Sequence, residues 1–95
     1  MKKYRMPDSM IVDDRTIRCD YTGATQWNDE IMFCYEVTKD GAPAYIVSVV
    51  ARGGLMGGPL FMHTGTTLLQ DRIDELSTLI EQHAQKKLES WTEAT

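Results

Sequence analysis

The sequence has few cysteines, no long apolar run and no excess of positive charge, and each absence excludes a class of protein. Two cysteines in 95 residues, Cys19 and Cys34, are too few for a disulfide framework and form no C-x-x-C pair. No stretch approaches ~20 uncharged apolar residues, so we expect no membrane-spanning helix. Ten basic against fourteen acidic residues give a net charge of −4, which argues against a nucleic-acid partner.

Groups that carry catalysis or bind metal are equally scarce. The two histidines, His63 and His83, lie far apart in the sequence, and neither has a second ligand at metal-binding spacing. The sequence holds no nucleophile elbow, no zinc-protease motif and no phosphate loop. We therefore expect a non-enzymatic protein with no catalytic residue, no metal and no cofactor.

The composition is that of one small folded domain. At 95 residues, 42% hydrophobic and 25% charged, the chain has room for a single core. Residues 1–9 are polar and basic and include a proline, so we interpret them as a flexible arm before a single domain at 10–95. Because no apolar signal segment follows the basic start, we expect a cytoplasmic protein without membrane contact.

Alternating apolar residues predict an antiparallel sheet of about four strands. The predicted strands cover residues 10–12, 16–21, 31–37 and 44–51, with a short edge strand at 60–62. Asp40-Gly41 is typical of the tight turn of a hairpin. The segment 44–51 is apolar on both faces, which predicts a central strand that is covered on both sides.

A long amphipathic helix is predicted to follow the strands. Thr67 and Gln70 match a capping box, which predicts a helix over about 68–90. Its apolar residues recur every three or four positions: Leu69, Ile73, Leu76, Ile80, Ala84, Leu88 and Trp91. Strands followed by one helix predict an α+β fold, in which the helix packs on the sheet. At roughly 35 Å the helix is longer than the sheet needs.

Five apolar residues are candidates for a protein interface. Leu88 and Trp91 lie at the surplus end of the predicted helix. Leu55 and Met56 stand at the tip of a glycine-rich loop, where apolar side chains favour protein contact. Trp27 lies in a segment, residues 22–30, that we expect to be a loop. Because a small chain gains stability by associating, the simplest function is a homodimer that associates through the end of the helix and an edge strand.

The same glycine-rich segment is a weaker candidate for binding an anion. Residues 53–58 read Gly-Gly-Leu-Met-Gly-Gly, but the lysine of a phosphate loop does not follow. Arg52, beside Gly53 and Gly54, could still hold an anion together with the backbone of the glycines.

Gly65-Thr66-Thr67-Leu68, which follows a predicted strand and opens an amphipathic helix, resembles the pattern of HicB-like antitoxins over roughly residues 31–82. The resemblance implies a toxin or nuclease as partner. The sequence departs from that family in its longer glycine-rich segment and in having no DNA-binding segment after the helix. We therefore hold three hypotheses: a self-associating regulatory module, such as an accessory protein of a phage or another mobile element; an antitoxin-like inhibitor; and a small anion-binding protein.

Overall fold

A computed structural model describes residues 10–13 and 16–93 of the chain. The predicted N-terminal arm, residues 1–9, lies outside the described residues, as does the side chain of Trp91. Within the described part, an antiparallel sheet is followed by a single C-terminal helix. This architecture confirms the predicted α+β fold.

Six strands make up the sheet in the described residues. They are β1 (Met10–Asp13), β2 (Ile17–Trp27), β3 (Glu30–Lys39), β4 (Ala42–Arg52), β5 (Leu55–Met56) and β6 (Leu60–His63). The first four form an antiparallel meander in which each strand pairs with the next. β5 and β6 both pair with the far edge of β4, at its end and its middle respectively.

The segment predicted to be a loop, residues 22–30, is mostly strand, and that prediction is wrong. β2 continues through Gly23 and pairs with β3 as far as Trp27. A bulge at Gly23, whose φ of 135° suits glycine alone, interrupts the alternation of apolar and polar residues. The turn consists of Asn28 and Asp29 only, because Asn28 accepts a positive φ of 55°.

The second hairpin forms where the sequence predicts it. Asp40 and Gly41 make the turn between β3 and β4, both with positive φ. β3 and β4 then stay paired from Lys39 to Glu30. This hairpin is the centre of the sheet.

The helix α1 (Gln70–Glu93) covers one face of the sheet. Its buried residues lie three or four positions apart, which places them on one side of the helix: Leu76, Ile80, Ala84 and Leu88. They pack against the inward residues of the strands: Ile17, Cys19, Ile31, Phe33, Tyr35, Val37, Val47, Val49 and Ala51. Full burial of a side chain of this size contributes about 1.5–3 kcal/mol, so this layer is the main source of stability.

The start of the helix differs from the prediction. Thr67 and Gln70 form no capping box, because Thr67 Oγ1 lies 3.0 Å from His63 Nε2 and Gln70 donates to Asp74. The helix begins only at Gln70. Residues 68 and 69 therefore precede the helix, and there Leu68 is buried whereas Leu69 is 74% exposed. The prediction of Leu69 as a core residue is wrong for this reason.

The prediction that β4 is covered on both sides is also wrong. β4 is central in the sheet, but α1 packs on one face only, and no element within residues 10–13 and 16–93 packs on the other. Ile46 and Val50, which point to that other face, are 46% and 38% exposed. The second apolar side of β4 therefore belongs to a surface.

Candidate functional site

The uncovered side of the sheet carries a cluster of apolar side chains. Strand register places residues of neighbouring strands side by side on this face, because side chains alternate along each strand. Seven large apolar residues lie on it: Trp27, Met32, Ile46, Val50, Leu55, Leu60 and Met62. We call this surface the open face.

The register fixes the arrangement within the open face. At one end of the open face, Trp27, Glu30, Arg52 and Leu55 are cross-strand neighbours in one row, with Trp27 and Leu55 at its two ends. Met32 pairs with Val50 in the next row toward the middle.

The other apolar residues lie toward the opposite end of the open face. Ile46 pairs with Met62, and Ser48 pairs with Leu60. The apolar side chains therefore cross the sheet diagonally from β2 to β6.

Several of these side chains are strongly exposed. Leu55, Leu60 and Met62 are 79%, 66% and 59% exposed, and Trp27 is 45% exposed. Single exposed apolar residues are ordinary, but a contiguous apolar patch on one face marks an interaction surface. The open face is such a patch.

Small residues form the middle row of the open face on β2, β3 and β4, and Leu60 of β6 stands at the end of that row. Gly23, Cys34 and Ser48 lie side by side on β2, β3 and β4. Larger side chains stand on both sides of this row, including Met32 and Ile46. The row is therefore a shallow trough, which a protruding side chain of a second surface can enter.

Two ion pairs lie on the open face, Arg52–Glu30 in the row between Trp27 and Leu55 and Arg18–Asp20 on β2. Arg52 donates to Glu30 at 2.8 Å, and Arg18 donates to Asp20 at 2.9 Å. Each pair is partly exposed, so its contribution to stability is at most about 1 kcal/mol. Glu36, the cross-strand neighbour of Ile46, adds an exposed carboxylate to this face, so the open face is apolar with charged residues among its apolar ones.

The structure separates the five residues predicted for an interface. Trp27 and Leu55 lie on the open face. Met56 is half-buried and packs against the core on the helix side. Leu88 is only 5% exposed and belongs to the core, so it offers no surface. The side chain of Trp91 is outside the described residues.

The sequence did not identify the remaining members of the open face. Ile46 and Val50 were assigned to a covered strand because apolar residues occupy both sides of β4. Leu60 and Met62 belong to a strand of four residues, which is too short for a reliable period. The signal that could have found them is the single helix, which covers only one face of a sheet.

The predicted anion contact at Arg52 has an acidic neighbour in the structure. The Arg52 guanidinium donates to Glu30, and this hydrogen bond raises the pKa of Arg52. Gly53 and Gly54 form the turn after β4, where the Gly53 amide donates to the carbonyl of Asp29. Because a carboxylate already faces the guanidinium, this geometry does not favour a bound anion there.

A polar cluster lies between α1 and the sheet, on the side opposite the open face. The Tyr35 hydroxyl lies 2.8 Å from His83 Nδ1, and the ring of Tyr21 packs against both rings. Lys87 Nζ lies 5.1 Å from the centre of the Tyr21 ring. Burial raises the pKa of Tyr35 well above its usual value, so its phenol stays protonated.

The described residues offer no cluster of His, Cys, Asp and Glu that could hold a metal ion. Cys19 and Cys34 are both free thiols, and burial raises the pKa of Cys19 to about 12, so that thiol is a poor nucleophile. The helix described here lacks an apolar stretch long enough to cross a bilayer.

Comparisons with known proteins add no relative. No family model matches the chain, and neither a curated protein nor a solved structure is similar to it. The HicB-like resemblance therefore stays a prediction, and the argument about function depends on the residues of this chain.

Proposed function

We propose that this chain is a non-enzymatic protein-interaction module that self-associates by packing its open face on the open face of a second copy. The observation that carries the proposal is the gathering of seven large apolar side chains on a sheet face that no described element covers. Exposed apolar surface of this extent costs free energy in water, and a partner removes that cost.

The size of the open face suits a dimer. β2, β3 and β4, with 10 or 11 residues each, and the shorter β1, β5 and β6 give a planar area of about 600 Å² per copy, at about 4.8 Å between strands and 3.3 Å per residue. Two copies together reach about 1,200 Å², the lower end of the range for stable interfaces. Protruding side chains such as Leu55 and Leu60 increase the accessible area beyond this planar value.

The shape of the open face suits a second copy in particular. Two pleated sheets stack face to face at about 10 Å, with strands nearly aligned. A two-fold axis places the same patch on both sides of the interface, so a surface that mixes large side chains with a trough of small ones can complement itself. The trough of Gly23, Cys34 and Ser48 then receives large side chains of the partner.

The proposal moves the interface from the helix end to the sheet. The sequence predicted self-association through Leu88, Trp91 and an edge strand. Leu88 is part of the core, whereas β6 presents Leu60 and Met62 on the open face. Only the strand side of the earlier prediction therefore enters the proposed interface.

Sedimentation velocity across a wide dilution series tests the proposal. We expect twice the 10.8 kDa mass of one chain at high concentration and the single-chain mass after sufficient dilution. Met62→Lys, on the open face, should shift the chain to the single-chain mass. Leu69→Lys is the matched control, because Leu69 is more exposed than Met62, at 74% against 59%, but lies just before the helix and is not part of the open face.

A wild-type chain that stays at 10.8 kDa at every concentration contradicts self-association. An equal effect of Met62→Lys and Leu69→Lys contradicts the assignment of the interface to the open face. In the first case the open face is left for a different protein, such as the toxin or nuclease that the HicB-like resemblance implies.

A further inference from the structure

One row of the open face carries an ion pair between two apolar side chains. Trp27, Glu30, Arg52 and Leu55 are cross-strand neighbours in this row, and the exposed Trp27 and Leu55 stand at its two ends. Neighbouring strands are about 4.8 Å apart, so the row is about 14 Å long. A partner that packs on both apolar side chains therefore also covers the charges between them.

The ion pair forms within one chain. Arg52 Nη2 donates to Glu30 Oε1 at 2.8 Å. The Glu30 side chain is only 22% exposed, whereas the Arg52 side chain is 72% exposed, so a partner would cover mainly the guanidinium. The hydrogen bond to Glu30 and the charge of Glu30, with a smaller contribution from Asp29, raise the pKa of Arg52. Arg52 is therefore charged at every pH at which the chain would associate.

The backbone holds the two residues of this pair opposite each other. Glu30 begins β3 and Arg52 ends β4, and the two are direct neighbours in the antiparallel ladder. The Gly53 amide donates to the carbonyl of Asp29 at 3.2 Å, which connects the turn before Glu30 to the turn after Arg52. The pair is therefore preformed, and an interface that covers it loses little further side-chain freedom at this point.

The effect of covering these residues depends on whether both charges are present. Two opposite charges that lose their water keep their attraction for each other, which offsets much of the cost of dehydration. A single covered charge has no such compensation, so removal of one member of a covered pair weakens an interface strongly. Two apolar side chains of similar size in the same place are covered without that cost.

We infer that the Glu30–Arg52 pair determines the specificity of the open face, because a second copy packs over this row only when the two charges remain paired. The inference rests on the proposed function, since it concerns the same interface. The apolar side chains supply the driving force for association, and the ion pair selects against any surface that separates the two charges or leaves one of them alone.

A double-mutant cycle, measured by sedimentation velocity over one dilution series, tests this inference. We expect Arg52→Met to raise the dissociation constant of the dimer at least about 30-fold, since the Glu30 carboxylate is then covered alone. Glu30→Met should weaken the dimer by a smaller factor, because Asp29 still lies near Arg52. The variant with both changes should associate at least as tightly as the wild type.

The cycle separates the effect of the ion pair from that of added apolar surface. If apolar surface alone governed association, both single changes would tighten the dimer. Arg72→Met is the matched control, because Arg72 pairs with Glu75 at 3.3 Å but lies on α1, away from the open face. This variant should associate as the wild type does. A thermal melt of each variant under dilute conditions confirms that the chain is folded.

The possible failures of the inference and of the proposed function are distinguishable. A wild type that dimerises while Arg52→Met associates equally tightly overturns the inference and leaves the proposed dimer in place. The same holds if the variant with both changes is as weak as Arg52→Met, or if Arg72→Met weakens the dimer equally. A wild type that stays at the mass of a single chain at every concentration contradicts the proposed function, and the inference fails with it.

Discussion

Substitution of Ile46 on the open face is the sharpest test of how the chain associates. Ile46 lies in β4 beside Met62 and is 46% exposed in the single chain. A second copy therefore has only about half of the side chain left to cover. Burying a whole isoleucine side chain contributes about 1.5–3 kcal/mol, so half of it contributes about 1 kcal/mol per copy.

The loss of association free energy doubles, because a two-fold dimer contains Ile46 twice. Ile46→Ala should cost about 2 kcal/mol of association free energy, which raises the dissociation constant about 30-fold. Ile46→Lys should cost more, because a charge covered by an apolar surface adds at least about 2 kcal/mol per copy. The lysine variant should therefore remain a single chain at concentrations at which the wild type is fully dimeric.

The assay is sedimentation velocity of the three proteins over one dilution series, with a thermal melt under dilute conditions. The half of Ile46 that the single chain already covers contributes about 1 kcal/mol, so the dilute melt of Ile46→Ala should show a folded chain that is less stable by about that amount. Unchanged association of Ile46→Lys would refute the reasoning, since covering a lysine removes its water even though Glu36 is the cross-strand neighbour of position 46.

Three further predictions concern the core and the thiols. Gly65→Ala should destabilise the fold by about 1–3 kcal/mol in a denaturant melt, because the new Cβ meets the carbonyl oxygen of Pro43, whereas Gly58→Ala, in open space, should have little effect. Burial raises the pKa of Cys19 to about 12, against 9.0 in the unfolded chain. The contribution of the protonated thiol to the free energy of unfolding is therefore complete below pH 9. It is lost as the pH rises toward 12, by at most about 1.4 kcal/mol per pH unit. Cys19→Ala should therefore flatten the stability profile above pH 9, and an unchanged slope would contradict the burial of this thiol. Iodoacetamide should modify Cys34 before Cys19, as read by mass spectrometry. Modification of Cys34 should be slower at concentrations that favour the dimer. Modification of Cys19 first would contradict the structure.

The sequence predicts the middle of the sheet and the helix well, because strong local signals decide them. Asp40-Gly41 lies between two apolar strands, and the period of three and four in α1 continues for six turns. The local pattern and the overall fold agree in both places, so the spacing of apolar residues is enough to predict the hairpin and the helix. The buried residues Phe33, Val47 and Ile80 follow from the same patterns.

The boundaries and the coverage of the sheet could not be predicted in this way. The bulge at Gly23 shifts the alternation of β2 by one residue, which makes its second half resemble a loop. Leu68 rather than Leu69 enters the core, because the helix begins only at Gln70 and both residues precede it. These features depend on contacts between distant segments.

The open face was missed for a related reason. An apolar residue such as Val50 indicates burial in the sequence, but the sequence does not say whether the chain itself or a second copy supplies the cover. The polar cluster of Tyr35 and His83 was missed because the two residues lie on different elements and come together only in the fold.

The most direct test of the central claim is an isotope-filtered NOE experiment on a sample that mixes labelled and unlabelled chains. Such a spectrum records contacts between copies only. We predict NOEs from the methyl groups of Ile46, Val50 and Leu60 on one copy to the Trp27 ring or the Met62 methyl group on the other. Intermolecular NOEs that arise from α1 instead, or no intermolecular NOE in a sample shown to be dimeric by mass, would contradict the assignment of the interface to the open face.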